Sequence, residues 1–313
     1  MIEVSEMREV RKLALAVATA VSPFAFAAAA SAQCVTVDPL IVPDVRFDPL
    51  DATGAAQIMQ PVTMTFRRVG PGTGPLRVTY QIVDEDSGAA QRIGLTSGPQ
   101  VEWRSGDSAR NIGAARNEAY ALLRSGEVSL RANESSEQSS LRLFLPNVRE
   151  DLPAGVYREQ FTVRYWCDGD DTSLPHEIPG IVTVTVQVPN VLSANIAGAS
   201  ARGEIDFMDF ATLSRALAIS VRSTGPYAVT AQSENGSVLL REGAVGSDAA
   251  DRIAYAVTFG GRPLALGTAS SFTNPRAGLA GQQIPLNVTV DDVSTKRAGN
   301  YSDTLILTLA PVS

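Results

Sequence analysis

The sequence predicts an all-β fold of two immunoglobulin-like β-sandwich domains, the second lacking its final strand. Three observations lead there. Short segments with alternating apolar residues, separated by Pro, Gly, Asp and Ser turns, run from Cys34 onward with no long helix-period stretch among them. The stretch A-G-V-Y-R-E-Q-F-T-V-R-Y from Ala154 to Tyr165 is answered about 144 residues later by A-G-N-Y-S-D-T-L-I-L-T-L, with Tyr301 and Asp303 where Tyr157 and Glu159 stand, so one unit is used twice. The first copy is followed by another strong strand; the second is not.

The 313 residues, 44% of them hydrophobic, are enough for two cores of ordinary size. A net charge of -7 and a pI near 4.9 oppose a polyanionic partner, because neutralising phosphates takes a concentrated Lys and Arg face. No nucleic-acid partner is therefore expected.

Residues 1–32 read as a signal peptide. Arg8, Arg11 and Lys12 form a basic start, Leu13 to Ala30 is an apolar run, and Ala30-Ser31-Ala32 supplies small residues for cleavage before Gln33. Export exposes the chain to an oxidising compartment, where its two cysteines, Cys34 and Cys167, are expected to form a disulfide. Closing a loop of roughly 130 residues is worth about 4 to 5 kcal/mol in the chain-entropy picture. One histidine, His176, leaves too few soft ligands for a metal site, and no cofactor is expected.

Taken in order, strands are expected over Val35 to Val42, Val62 to Arg68 and Leu76 to Val83. The less regular stretch from Arg92 to Arg131 holds Val101 and Trp103 in one short run, and Ala114 to Leu123 in another compatible with a helical turn or two. Leu141, Leu143 and Leu145 alternate, and Val156 to Cys167 follows with Tyr157, Phe161, Val163, Tyr165 and Cys167 on one face. Strict alternation places Cys34 opposite Val35 and Val37, which a bulge or a strand end relieves. Val182, Val184, Val186 and Val188, alternating with Thr183, Thr185 and Gln187, complete the first sandwich, 33–189.

The second domain, 190–313, repeats the order. Ile205 to Phe207 answers Val45 to Phe47, Leu217 to Ser223 answers Val62 to Arg68, and Tyr227 to Thr230 answers Leu76 to Thr79. Ile253 to Phe259 adds a strand, Ile284 to Val290 answers Leu141 to Val148, and Asn300 to Ala310 answers Val156 to Trp166. The counterpart of Val182 to Val188 is not found, unless Val191 to Ala201 folds back into its place. An unfinished sandwich presents unpaired backbone groups beside an apolar groove, here floored by Leu305, Leu307 and Leu309, and such an edge accepts an extended segment from a partner.

The ending A-G-N-Y-S-D-T-L-I-L-T-L, the opening Ile205-Asp206-Phe207 and the middle S-T-G-P-Y-A-V-T of Ser223 to Thr230 resemble the spore coat protein U domain, from which pilins of archaic, Csu-like chaperone-usher pili are built. The resemblance covers the second domain; the first shares only Ala154-Gly155-Val156-Tyr157 and the strand after it. It implies a pilus subunit exported through the periplasm to the cell surface. A periplasmic chaperone holds such a subunit until the adjacent pilin's strand replaces it at the outer-membrane usher. Shaft pilins carry a donor strand before their first cysteine, and here only Gln33 precedes Cys34, which fits a two-domain adhesin at the pilus tip. In such an adhesin, loops of the first domain attach to an abiotic or host surface. Val101, Trp103, Tyr120, Leu122 and Leu123 are the residues expected to supply those loops, with a place in the core as the alternative.

An enzyme is not expected. A Ser-His-Asp triad would need His176, in a chain without a G-x-S-x-G elbow, and Asp168 to Asp171 lacks the ligand spacing of an EF-hand loop. Tyr157 and Tyr301, each just after an Ala-Gly turn, read as structural, in the manner of a tyrosine corner. Two alternatives stand beside the pilus subunit: a periplasmic pilus-assembly chaperone, which needs two complete domains and a basic cleft, and a secreted carbohydrate-binding or hydrolytic sandwich.

Overall fold

Among the described residues of the first half of the chain, the computed structural model has eleven strands. They are β1 (Val35–Val37), β2 (Leu40–Ile41), β3 (Val45–Arg46), β4 (Ile58–Arg68), β5 (Leu76–Asp84), β6 (Glu102–Ser105), β7 (Gly113–Ala115), β8 (Gly126–Leu130), β9 (Ser136–Leu145), β10 (Gly155–Cys167) and β11 (His176–Val188). The second half holds β12 (Leu192–Ile196), β13 (Ser214–Ser223), β14 (Tyr227–Ser233), β15 (Val238–Arg241), β16 (Arg252–Phe259), β17 (Arg262–Leu264), β18 (Phe272–Asn274), β19 (Gly278–Val290), β20 (Tyr301–Ser302) and β21 (Leu305–Pro311). The structure describes residues 33–312 except 52–56, 86–90, 95–97, 107–109, 117, 119–123, 148–149, 169–173, 199–200, 246 and 267–271. Among the described residues no helix is long and apolar enough to cross a membrane.

The first sandwich packs a sheet of order β1-β4-β9-β6 on one of order β2-β11-β10-β5-β7, with β3 also on β11 and β8 also on β5. Alternation decides which side chains enter: Val62, Met64 and Phe66 of β4, Leu141, Leu143 and Leu145 of β9, and Phe161, Val163 and Tyr165 of β10 are all buried in one cluster. The valines of β11 join them, and β2 and β3 run parallel to β11 on its far side. Every long strand of this sandwich is thus covered. The Cys34–Cys167 disulfide is formed, with a Cα–Cα distance of 6.1 Å across a sequence separation of 133, and it ties the edge of one sheet to β10 in the other. Cys34 precedes β1 rather than belonging to it, so the strand end removes the parity conflict. Beside the bridge the Tyr165 hydroxyl donates to the Val35 carbonyl at 2.8 Å.

Two expectations for the first sandwich are corrected, and a third falls outside the described residues. Val101 and Trp103 are not surface loop residues: Trp103 is 0% exposed, sits edge-on to Phe161 at 5.6 Å, and pairs with Leu143 because β6 adds to β9 with the same parity facing inward. Gly113–Ala115 is a strand parallel to β5 rather than the start of a helical turn. Tyr120, Leu122 and Leu123, like Asp171, lie outside the described residues.

The second sandwich packs the sheet β12-β13-β19-β16-β15-β20, with β17 on β16, against the three-stranded sheet β18-β14-β21. Its core centres on Val221, Tyr227, Val229, Ala231, Ile253 and Phe259. Partly buried hydrophobic residues are nearly as numerous around this core as buried ones, whereas the first core has few of them. The described part of the segment Val191 to Ala201, up to Gly198, does not fold back into the missing place. It supplies β12, which pairs with β13 from Leu192↔Ser223 to Ile196↔Ile219, as β1 pairs with β4.

Candidate strand-acceptor groove

The candidate groove centres on β21. In the first sandwich the equivalent strand, β10, lies between β11 and β5. Here β21 pairs with β14, from Tyr227↔Pro311 to Ser233↔Leu305, and among the described residues no strand pairs with its other edge.

Hydrogen bonds fix the parity of that edge. Val312 N–H donates to the Pro226 carbonyl at 3.1 Å, and Glu234 N–H donates to the Thr304 carbonyl at 3.0 Å. Even-numbered residues of β21 therefore turn their backbone groups toward β14, and Leu305, Leu307 and Leu309 turn theirs toward the open side. The same three leucines point their side chains at the core yet stay half-buried, where Phe161, Val163 and Tyr165 of β10 are fully buried. Leu305, Leu307 and Leu309 thus share two features: among the described residues no strand pairs with the open side of their backbone, and their side chains are incompletely covered.

Other side chains on the margin of the same core are Ile196 of β12, Leu217 of β13, Ile284 of β19 and Ile205, all partly buried. β12 lies against β21, so the opening falls between the edges of the two sheets on one side. Ile205 and Phe207 are placed as Val45 and Phe47 are in the sequence order, but Val45 pairs with β11, whereas among the described residues Ile205 lies in no strand. The sequence placed Leu217 and Ile284 at the heads of expected strands. Their incomplete burial depends on what does not cover them, which carries no local signal.

The strand expected over Asn300 to Ala310 is broken at Asp303-Thr304. β20 crosses to pair with β15 in the larger sheet, and β21 pairs with β14 in the smaller. The Asp303 carboxylate holds the crossing: it accepts from Tyr255 Oη at 2.6 Å, Asn235 N–H at 3.0 Å, Thr304 N–H at 2.8 Å and the Ser233 hydroxyl. Burial, then the adjacent Asp303 carboxylate, pushes the Tyr255 phenol well above its ordinary range, so it stays a donor at neutral pH.

The tyrosine repeat is structural in both copies. Tyr157 Oη donates to the Pro153 carbonyl at 2.8 Å and Tyr301 Oη to the Arg297 carbonyl at 2.7 Å, in each case four residues back. Each bond fastens the turn that leads into its strand. His176 heads β11 and stacks on Tyr165 with ring centroids 5.1 Å apart. Among the described residues no three His, Cys, Asp or Glu side chains converge to hold a metal ion.

No protein-family model matches the chain, and no curated protein matches it. Solved structures similar to it include the tip adhesion subunit CsuE in its pre-assembly complex with the chaperone CsuC, from the archaic chaperone-usher Csu pili of Acinetobacter baumannii. The identity is 10%, 88% of this chain and 99% of that chain are covered, and the TM-score is 0.42. Another is the CupB6 tip adhesin of Pseudomonas aeruginosa, at 12% identity, 88% and 93% coverage and a TM-score of 0.42. A third is CfaE, the adhesive subunit of CFA/I fimbria of enterotoxigenic Escherichia coli, at 10% identity, 88% and 94% coverage and a TM-score of 0.40.

Proposed function

We propose that the chain is an exported, non-enzymatic subunit of a chaperone-usher pilus. Its second domain, 190–313, accepts a donor strand from a periplasmic chaperone and then from the adjacent subunit at the usher, and its first domain, 33–189, serves surface attachment at the pilus tip. The observation that carries this reading is the unpaired edge of β21, with Leu305, Leu307 and Leu309 half-covered beneath it, next to a first sandwich in which the equivalent strand is fully enclosed. Backbone groups left without partners beside an apolar groove are satisfied when an extended segment is laid in. The spore coat protein U resemblance of the second half points to the same use, and among the described residues one closed sandwich beside one open sandwich leaves one acceptor site.

The test is periplasmic expression of the chain alone and beside the chaperone of an archaic chaperone-usher system. Alone, it is expected to aggregate or be degraded; with the chaperone it should purify as a one-to-one complex. A soluble monomer that neither binds the chaperone nor takes up an added strand peptide overturns the reading.

A further inference from the structure

We propose that Asn190, in the segment joining the two sandwiches, is a positioning residue for strand acceptance: it clasps the end of β21 so that the open edge is presented as a preformed strand. The proposal rests on the strand-accepting reading above and adds to it a residue outside the groove.

Thr224, in the turn between β13 and β14, sets the geometry. Its Oγ1 donates to the Pro189 carbonyl at 2.7 Å and accepts from Val191 N–H at 2.9 Å, and its own N–H donates to the Val191 carbonyl at 3.0 Å. Residues on both sides of Asn190 are thereby pinned to the second sandwich, which leaves the Asn190 side chain aimed at the end of the smaller sheet. Its Nδ2 donates to the Val312 carbonyl at 2.7 Å and to the Pro226 carbonyl at 3.0 Å. Those two residues already form the last rung between β14 and β21.

That rung needs the help. Among the described residues β21 is paired on one side only, Pro311 brings no N–H to its open side, and strand ends held by a single ladder fray first. A frayed end would have to be ordered at the moment a partner strand arrives, which slows and weakens uptake; an end already held does not. Gly225 shows that the space is made for the amide: a Cβ there would lie 2.6 Å from Asn190 Oδ1 and 2.7 Å from its Cγ. The clasp also meets the first sandwich, whose Ala154 N–H donates to the Thr224 carbonyl at 2.7 Å.

The experiment compares the mature chain, residues 33–313, with Asn190→Ala, Asn190→Asp and Gly225→Ala. The probe is a fluorescent peptide of the chain's own residues 180–188, the alternating valine strand that completes the first sandwich. Uptake kinetics are read beside residue-resolved hydrogen exchange of the unoccupied protein. Exchange protection of the Ala310 and Val312 amides is expected to fall at least tenfold in all three variants. Ile306, at the far end, should keep its protection, and strand uptake should slow by about the same factor.

Uptake and protection equal to wild type in the variants overturn the proposal alone. Protection lost equally at Ile306 and in the first sandwich also overturns it, since that is general destabilisation. A wild-type chain that takes up no strand overturns the strand-accepting reading, and the proposal with it.

Discussion

Leu307 faces Ala231 across one edge of β21, and among the described residues it faces no strand across the other. Because its N–H points to the open side, proline at this position removes a donor that only an incoming strand would use. Proline at Thr308 removes a donor used by β14. Leu307→Pro is expected to abolish uptake of a strand peptide. Thr308→Pro is expected to destabilise the second sandwich further, by at least the net worth of one ladder bond, about 1 kcal/mol, and so to lower its melting temperature. Peptide binding and thermal melts of the two variants, side by side, check the parity; equal behaviour would refute it.

Trp103 distinguishes a core from an attachment loop. Truncating a fully buried aromatic residue costs about 3 to 5 kcal/mol, while an exposed loop residue costs less than about half a kcal/mol. Trp103→Ala should therefore destabilise the first sandwich by the larger amount in urea titration. A near-wild-type midpoint combined with lost surface attachment would restore the loop assignment.

The disulfide is predicted to dominate the stability of the first sandwich. Replacing Cys34 and Cys167 together with serine frees a loop of 133 residues and is expected to cost about 5 kcal/mol by loop entropy. Denaturant midpoints of the double variant, or of wild type with and without reductant, read this directly. The second sandwich, which has no cysteine, should keep its midpoint.

Acid should weaken the second sandwich through Asp248 and Asp251. The side-chain bond from Arg241, with Arg297 nearby, holds Asp251 below the usual carboxylate value of 3.8. Asp248 is lowered first by the Ala250 backbone N–H and then by Arg297. A depressed native pKa adds stability that is fully present above 3.8 and is lost as pH falls through the lower native value. Melting temperature followed from pH 6 down to about 2 should drop for wild type mainly below about 4. Asp251→Asn should start lower and fall less steeply, and parallel curves would rule the contribution out.

Tyr157 and Tyr301 show how far a repeat in the chain can be read without coordinates. Their shared place after an Ala-Gly turn pointed to a backbone bond, and both hydroxyls reach the carbonyl four residues back. Replacing either with phenylalanine should cost about 0.5 to 1.5 kcal/mol in its own sandwich, measured by denaturation, with no effect on the other.

Alternation with period two is a property of adjacent residues, so the sequence alone determined the all-β class, the inward faces of β4, β9, β10, β11 and β21, and the repeat that marks β21 as the counterpart of β10. The disulfide followed from there being two cysteines. What those local patterns cannot encode is which neighbour a strand meets. Trp103 became core because β6 adds to β9 in register with Leu143, and the strand around Tyr301 broke at Asp303 because three donors from other segments, Tyr255, Asn235 and Ser233, converge on its carboxylate beside the neighbouring Thr304 N–H. Asn190 matters because Thr224, distant in sequence, grips the residues on both sides of it. Only the tertiary structure decided these, since each depends on groups brought together from far along the chain, and the open edge of β21 is a fact about which pairings exist rather than about any residue in it.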